Sequence, residues 1–137
     1  MNMRKEDVSP FELGGVNPVI QYFSGASWLA RLTGPEDQVD ISNVTFEPGC
    51  RNNWHVHHGA QQILVCVGGE GWYQEWGKEA VHMVPGTVVA IPLDVKHWHG
   101  AAKDSWFAHL SIIARNVEGS HEWLEPVSDE DYDKLSR

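Results

Sequence analysis

Residues 49–68 read GCRNNWHVHHGAQQILVCVG. Three histidines and two glutamines stand between a glycine turn and a continuous apolar run. On a β-strand, residues i and i+2 share a face. His55 and His57 therefore project together, while His58, of opposite parity, points away. The run Ile63–Val67 has the length and character of a buried strand, and Gly59-Ala60 offers the bend that turns the chain back into it. Gln61, four residues after His57, rejoins the same concavity at the start of that strand. A second pair, His97 and His99 in DVKHWHG, repeats the i, i+2 arrangement, and His109 lies in the later apolar segment SWFAHLSII. Four buried imidazoles without partners would cost roughly several kcal/mol, whereas a divalent cation satisfies their nitrogens directly. Two such pairs in one small β-rich chain predict a metal site. Trp54 and Trp98 alternate away from the histidine face and read as packing residues. His82 and His121 stand apart and read as surface or satisfied core histidines.

Working outward, the middle of the chain divides into short strands punctuated by Gly, Pro and Asp. The segments are VDISNVTF (39–46), QQILVCV (61–67), WYQEW (72–76), EAVHMV (79–84), TVVAIP (87–92) and SWFAHLSII (105–113). None holds a 3.6-residue apolar period over three turns, so the fold class is all-β, a sandwich or barrel. A further strand is expected at 18–23, and ASWLARLTG (26–34) reads as a strand or a pair of helical turns. Near the C-terminus, Ser128 with Asp131 three residues on predicts an N-cap opening a short helix at 129–135. The expected organisation is an N-terminal arm with the first strands (1–35), a barrel core (36–115) and a C-terminal extension packed on the barrel (116–137). In the arm, NPVIQYFSGASWLARL is a candidate dimer-forming segment, so a homodimer is expected.

Composition narrows the function classes. The chain has 137 residues, enough for one domain. Its formal charge of -9, from 19 acidic and 10 basic residues, argues against a nucleic-acid partner, which needs a concentrated basic surface. The same balance argues against an anionic membrane surface, and no apolar run approaches the length of a membrane-spanning helix. The N-terminal MNMRKEDVSPFELGG lacks the apolar stretch of a signal peptide. Cys50 and Cys66 read as reduced thiols, so a cytoplasmic location and a small-molecule substrate are the expectation.

The spacing in these blocks resembles the cupin superfamily. Gly49, five residues, His55-Val56-His57, three residues, Gln61, six residues and Gly68 match its first motif, and this spacing selects Gln61 over Gln62. GTVVAIPLDVKHWHGA (86–101) matches the second, with Asp94 and Ala101 where the family usually has Gly and Asn. The resemblance implies a single-domain jelly-roll barrel holding one metal on His55, His57, Gln61 and His97. Gln61 stands where most cupins have Glu. The order VTFEPG, WHVHHGAQ, KHWHGAA, AHLSI and HEWLEPVSDEDY is similar to bacterial manganese-dependent cupin hydroxynitrile lyases and to relatives grouped near carboxymuconolactone decarboxylases.

That likeness implies manganese, with Fe, Ni, Co and Zn as alternatives, and no organic cofactor. A neutral amide donor leaves more positive charge on the ion than a carboxylate does, which strengthens Lewis acidity and disfavours oxidation. His99, on the same face as His97, and His109, from a facing strand, are the candidate catalytic residues, since imidazoles exchange protons near neutrality. The expected function is a metal-dependent lyase cleaving or forming a small α-hydroxynitrile or related hydroxy or carbonyl compound. An O₂-dependent dioxygenase and a non-catalytic metal- or ligand-binding cupin are the alternatives. Val44, Phe46, Ile63, Val65, Trp106 and Phe107 are the candidate pocket lining.

Overall fold

The computed structural model describes residues 3–115 and 118–135; the outermost residues of the expected arm and parts of the expected extension lie outside them. The strands, in chain order, are β1 (Gly15–Val16), β2 (Phe23–Ser24), β3 (Ser27–Arg31), β4 (Val39–Phe46), β5 (Arg51–Asn52), β6 (His55–His58) and β7 (Gln62–Gly69). They continue with β8 (Gly71–Glu75), β9 (Val81–Met83), β10 (Val88–Ala90), β11 (His97–Ala101), β12 (Phe107–Ala114) and β13 (Ser120–Trp123), and a helix α1 (Asp129–Asp133) follows. One sheet has the order β1-β3-β4-β12-β7-β10; the other runs β13-β6-β11-β5-β2, with β8 joining β11 and β9 joining β8. All strand pairs described are antiparallel. The expected all-β architecture with a short terminal helix is what forms.

The strands follow their sequence signals closely where turn residues bound them. VDISNVTF is strand over its whole length. In β7 the residues alternate between buried and half-buried from Gln62 onward, so Gln62, Leu64 and Cys66 face the interior together. Ser128 caps α1 as expected, its hydroxyl accepting from the Asp131 N–H at 3.1 Å. One expected strand, 18–23, is mostly not one. Asn17 folds the chain there: its Oδ1 accepts from Val19 N–H at 3.1 Å and its carbonyl from Ile20 N–H at 3.1 Å. This makes an Asx-type turn and leaves only Phe23–Ser24 extended.

The two sheets enclose an apolar base formed by Phe46, Cys50, Leu64, Cys66, Met83, Ile91 and Phe107, each 1 % exposed or less. A second cluster lies on the outer face of the β11 sheet: Trp54, Trp72, Trp98, Val127 and Tyr132. Alternation along HWHGA produces this division, because Trp98 packs outward while His97 and His99 face inward. The C-terminal segment seals the outer cluster. Arg51 reaches across to donate to the Val127 carbonyl at 3.0 Å and to Asp129 at 2.5 Å, and Tyr132 Oη donates to the Ala101 carbonyl at 2.5 Å. Each buried indole hides roughly 150–250 Å², about 4–6 kcal/mol at 25 cal/mol per Å². That apolar gain on the outer face of the β11 sheet offsets the cost of crowding histidines on its inner face.

Asp94 occupies the turn before β11 with φ 64°, the single non-glycine residue in the left-handed region among those described. Short polar residues tolerate this conformation, so Asp94 can stand where the superfamily favours Gly. It adds an anchor, since its carboxylate accepts from His58 Nδ1 at 2.6 Å.

Candidate metal centre

His55 and His97 are direct cross-strand partners on β6 and β11, with ring centroids 4.2 Å apart. His57 lies two residues along β6, its ring centroid 5.3 Å from that of His97. One ligand atom from each of the three lies within 4.8 Å of the others, and all three residues are buried. Backbone carbonyls orient two of the rings. His55 Nδ1 donates to the Asn53 carbonyl at 2.8 Å, and His97 Nδ1 to the Val95 carbonyl at 2.9 Å. Carbonyls accept only, so both rings keep the Nδ1–H tautomer and offer the Nε2 lone pair. His57 Nε2 and His97 Nε2 are buried with no hydrogen-bond partner.

Burial, followed by the proximity of the other imidazoles, pushes the His55 pKa well down and that of His57 to about 3; burial also lowers that of His97. All three are neutral near pH 7, the state that binds metal. Orphaned, neutral, converging nitrogens of this kind fit a divalent cation better than any packing role.

The two glutamines of the first motif are placed differently. Gln61, the expected fourth ligand, is exposed, lies in the loop after β6, and its amide Nε2 donates to the Ile91 carbonyl at 3.2 Å. Gln62, the first residue of β7, is 7 % exposed and lines the cavity with His55 and His57. Its Nε2 donates to Ser111 Oγ at 2.7 Å, while its Oε1 is buried and unpartnered. Gly59 (φ 86°) makes the turn, where a side chain would collide with the backbone of Glu118. The turn then runs through Gln61, so that Gln62 is the residue with inward parity.

Above the three histidines lies a cavity of about 240 Å³, below the roughly 300–1,000 Å³ of pockets for drug-sized ligands. Val19, Phe23, Leu29, Val44, Ile113 and Trp123 supply its apolar wall, and Arg31 with Asp40 stands at its rim. Of the expected lining, Val44 is present and Phe46 packs against both inner histidines. Ile63 and Val65 sit on the opposite parity of β7, and Trp106 packs on Trp28.

His99 and His109 both line the cavity, 4 % and 1 % exposed, with ring centroids 4.8 Å apart. His109 Nδ1 donates to the Leu110 carbonyl at 3.1 Å, and its Nε2 is buried without a partner. Asn52 clamps His99: its Oδ1 accepts from the His99 backbone N–H at 3.0 Å, and its Nδ2 lies 3.4 Å from Nδ1 and 3.3 Å from Nε2. An amide NH₂ only donates, so the ring nitrogen that receives it is unprotonated and the other carries N–H.

Among the cavity residues that the sequence reading did not mark are Asn52, His121 and Trp123. Asn52 carried no signal of its own. His121 and Trp123, at i and i+2 in HEW, share a face of β13, an alternation legible in the sequence of the tail. His121 pairs with His57 across the sheet, ring centroids 4.3 Å apart, and Trp123 lies 4.6 Å from His55. His58, as expected, points out and bonds Asp94 and Glu122; burial of Trp54 and Trp98 on the outer face agrees with their parity.

A pH dependence follows from these buried imidazoles. Burial holds His57 at about 3 and His109 at about 4 in the folded chain, against about 6.5 when unfolded. The unfolded state therefore binds more protons between those limits, and stability falls as pH drops below about 6.5. Each group contributes about 1.4 kcal/mol per pH unit, or about 2 kcal/mol between pH 6.5 and 5. Urea unfolding of chelator-treated protein is expected to show a lower midpoint at pH 5 than at pH 7.5, with little change from pH 7.5 to 8.5.

With this geometry established, the chain belongs to the cupin family: the model for the cupin domain matches residues 42–113. Among curated proteins it is similar to an (R)-mandelonitrile lyase of Granulicella tundricola, 42% identical over 113 residues, 81% of this chain and 86% of the relative. Among solved structures it is similar to a cupin-like protein of Thermotoga maritima, with TM-score 0.84 and 39% identity over 93% of this chain and 97% of that one. A predicted oxalate decarboxylase from the same organism shares the fold alone, at TM-score 0.65 and 20% identity over 83% of this chain and 98% of that one. The chain is thus a cupin related to a hydroxynitrile-lyase-type enzyme, with a candidate three-histidine metal site. Among the described residues, no helix is long and apolar enough to cross a membrane.

Proposed function

We propose that this cupin is a metal-dependent lyase that cleaves and forms small α-hydroxynitriles, with His55, His57, His97 and Gln62 holding one divalent metal. The observation that carries this reading is the convergence of His55, His57 and His97, with His57 Nε2 and His97 Nε2 unpartnered, beside a small cavity lined by His55, His57, Gln62, His99 and His109. The 42% identity to a mandelonitrile lyase supports the reaction class. Manganese is the metal we favour, on the likeness of the motifs to manganese-dependent cupin lyases; three imidazoles and an amide oxygen suit Fe, Ni, Co and Zn as well. When bound, the metal supplies Lewis-acid polarisation of the substrate oxygen.

The chain's own residues do the rest. The apolar wall of Val44, Leu29, Phe23 and Trp123 holds the substrate's hydrocarbon part and excludes water. His109, whose Nε2 keeps an unpartnered lone pair, takes the hydroxyl proton. As the C–CN bond breaks, its electron pair leaves on the cyanide carbon and the carbonyl forms. The His99 N–H, held by Asn52, donates a hydrogen bond to the departing cyanide; the proton that His109 took from the hydroxyl is then passed to the cyanide, which releases hydrogen cyanide and leaves both imidazoles neutral. The reverse sequence makes the cyanohydrin.

Reduced, buried Cys50 and Cys66 agree with a cytoplasmic setting. The test is release of benzaldehyde from mandelonitrile by manganese-loaded protein. Release above a matched free-metal background is expected, and release no faster than that background would overturn the lyase reading.

A further inference from the structure

We propose that Ser111 is a positioning residue for the metal centre: it fixes the Gln62 side chain so that the carbonyl oxygen, and not the NH₂, faces the histidines. The inference rests on Gln62 being the fourth donor.

An amide has two ends of nearly equal size and opposite polarity. A glutamate in this position presents an oxygen whichever way its carboxylate turns. A glutamine presents an oxygen in one orientation and two N–H groups in the other, and N–H groups repel a cation. A cupin that uses glutamine therefore needs a device that selects the orientation. Ser111 supplies one. Its Oγ accepts from Gln62 Nε2 at 2.7 Å, and the other end of the amide, Oε1, is left buried and unpartnered.

Ser111 is itself held rigidly. It lies within β12, paired with Ser42 of β4 on one side and Leu64 of β7 on the other. Gln62 sits opposite Ile113 of the same strand, so the hydroxyl approaches from a fixed neighbouring position on the cavity wall. Both residues line the cavity. Ser111 acts through the hydrogen bond that it accepts from Gln62.

The test is calorimetric titration of the chelator-treated full chain with Mn²⁺ and with Co²⁺. Partners that orient metal ligands typically contribute 10–100-fold in affinity, and Ser111→Ala is expected to lose about that much. Ser111→Thr, which keeps the acceptor oxygen, is expected to stay within about threefold of wild type. In a Gln62→Glu background either carboxylate oxygen serves, so adding Ser111→Ala is expected to change affinity less than about threefold. The visible spectrum of the Co²⁺ form is expected to shift in Ser111→Ala and to be restored in Ser111→Thr.

A bond that only ties β7 to β12 would cost stability in both backgrounds and leave the cobalt spectrum unchanged. Melting of the metal-free variants checks for this, and Ser111→Cys, nearly isosteric with a weaker acceptor, replaces Ser111→Ala if the latter does not fold. Wild-type protein that binds metal while Ser111→Ala binds equally well overturns this inference alone. An equal loss in the Gln62→Glu background also overturns it. Wild-type protein that binds no metal overturns the metal site itself.

Discussion

Replacing His97 with Ala is expected to reduce affinity for a divalent transition metal by more than about 100-fold. Groups that merely orient a ligand already contribute 10–100-fold, and His97 is itself one of three converging donors, fully buried with Nε2 unpartnered. The effect should also be visible in thermal stability. A ligand that binds only the folded state at 100 times its Kd adds about 2.7 kcal/mol, on the order of 10 °C for a domain of this size. Wild-type protein is expected to gain that increment with Mn²⁺, and His97→Ala is expected to gain none. The metal-free variant should melt close to metal-free wild type. It loses some packing against Tyr73 and His55, but it also loses a desolvated nitrogen that has no partner. Differential scanning calorimetry with and without metal separates these contributions. An unchanged metal-induced shift in His97→Ala would remove this histidine from the site.

The second large effect concerns turnover. His109→Ala is expected to lower kcat for cyanohydrin cleavage by about 10²–10⁴, the range of a positioned acid or base, while metal content stays at the wild-type level. His109 lines the cavity and is 1 % exposed, its Nδ1 is committed to the Leu110 carbonyl, and its Nε2 is buried and unpartnered. Its burial-lowered pKa of about 4 keeps it an unprotonated acceptor across the neutral range. Steady-state kinetics on metal-quantified protein make the comparison. A fall in kcat that tracks loss of metal would instead give His109 a part in holding the site together.

Much of this was legible in residues 49–68 and 86–101. The i, i+2 histidine pairs, the turn glycines and the outward tryptophans each follow from strand parity, and the structure places them accordingly. The glutamine was not legible, for a definite reason. The spacing from His57 to Gly68 selects Gln61, but six residues separate Gln62 from Gly69 just as six separate Gln61 from Gly68, so the distance to the closing glycine does not discriminate. Ile63–Val67 is apolar at both parities, so alternation cannot show which residues face inward. The start of β7 decided it, and that depends on how many residues the Gly59 turn consumes. Asn52 was invisible because its role comes from a strand 47 residues away. The strand expected at 18–23 failed because a single Asx-type turn at Asn17 outweighed the apolar character of the residues after it.

The most direct measurement is metal stoichiometry and affinity in wild type, Gln61→Ala and Gln62→Ala, each purified anaerobically and analysed by elemental analysis and Mn²⁺ titration. Wild type and Gln61→Ala are expected to bind about one metal per chain with affinities within about threefold of each other, and Gln62→Ala to lose more than about tenfold. Loss in Gln61→Ala with Gln62→Ala unaffected, or no metal bound by wild type, would contradict the site built from His55, His57, His97 and Gln62.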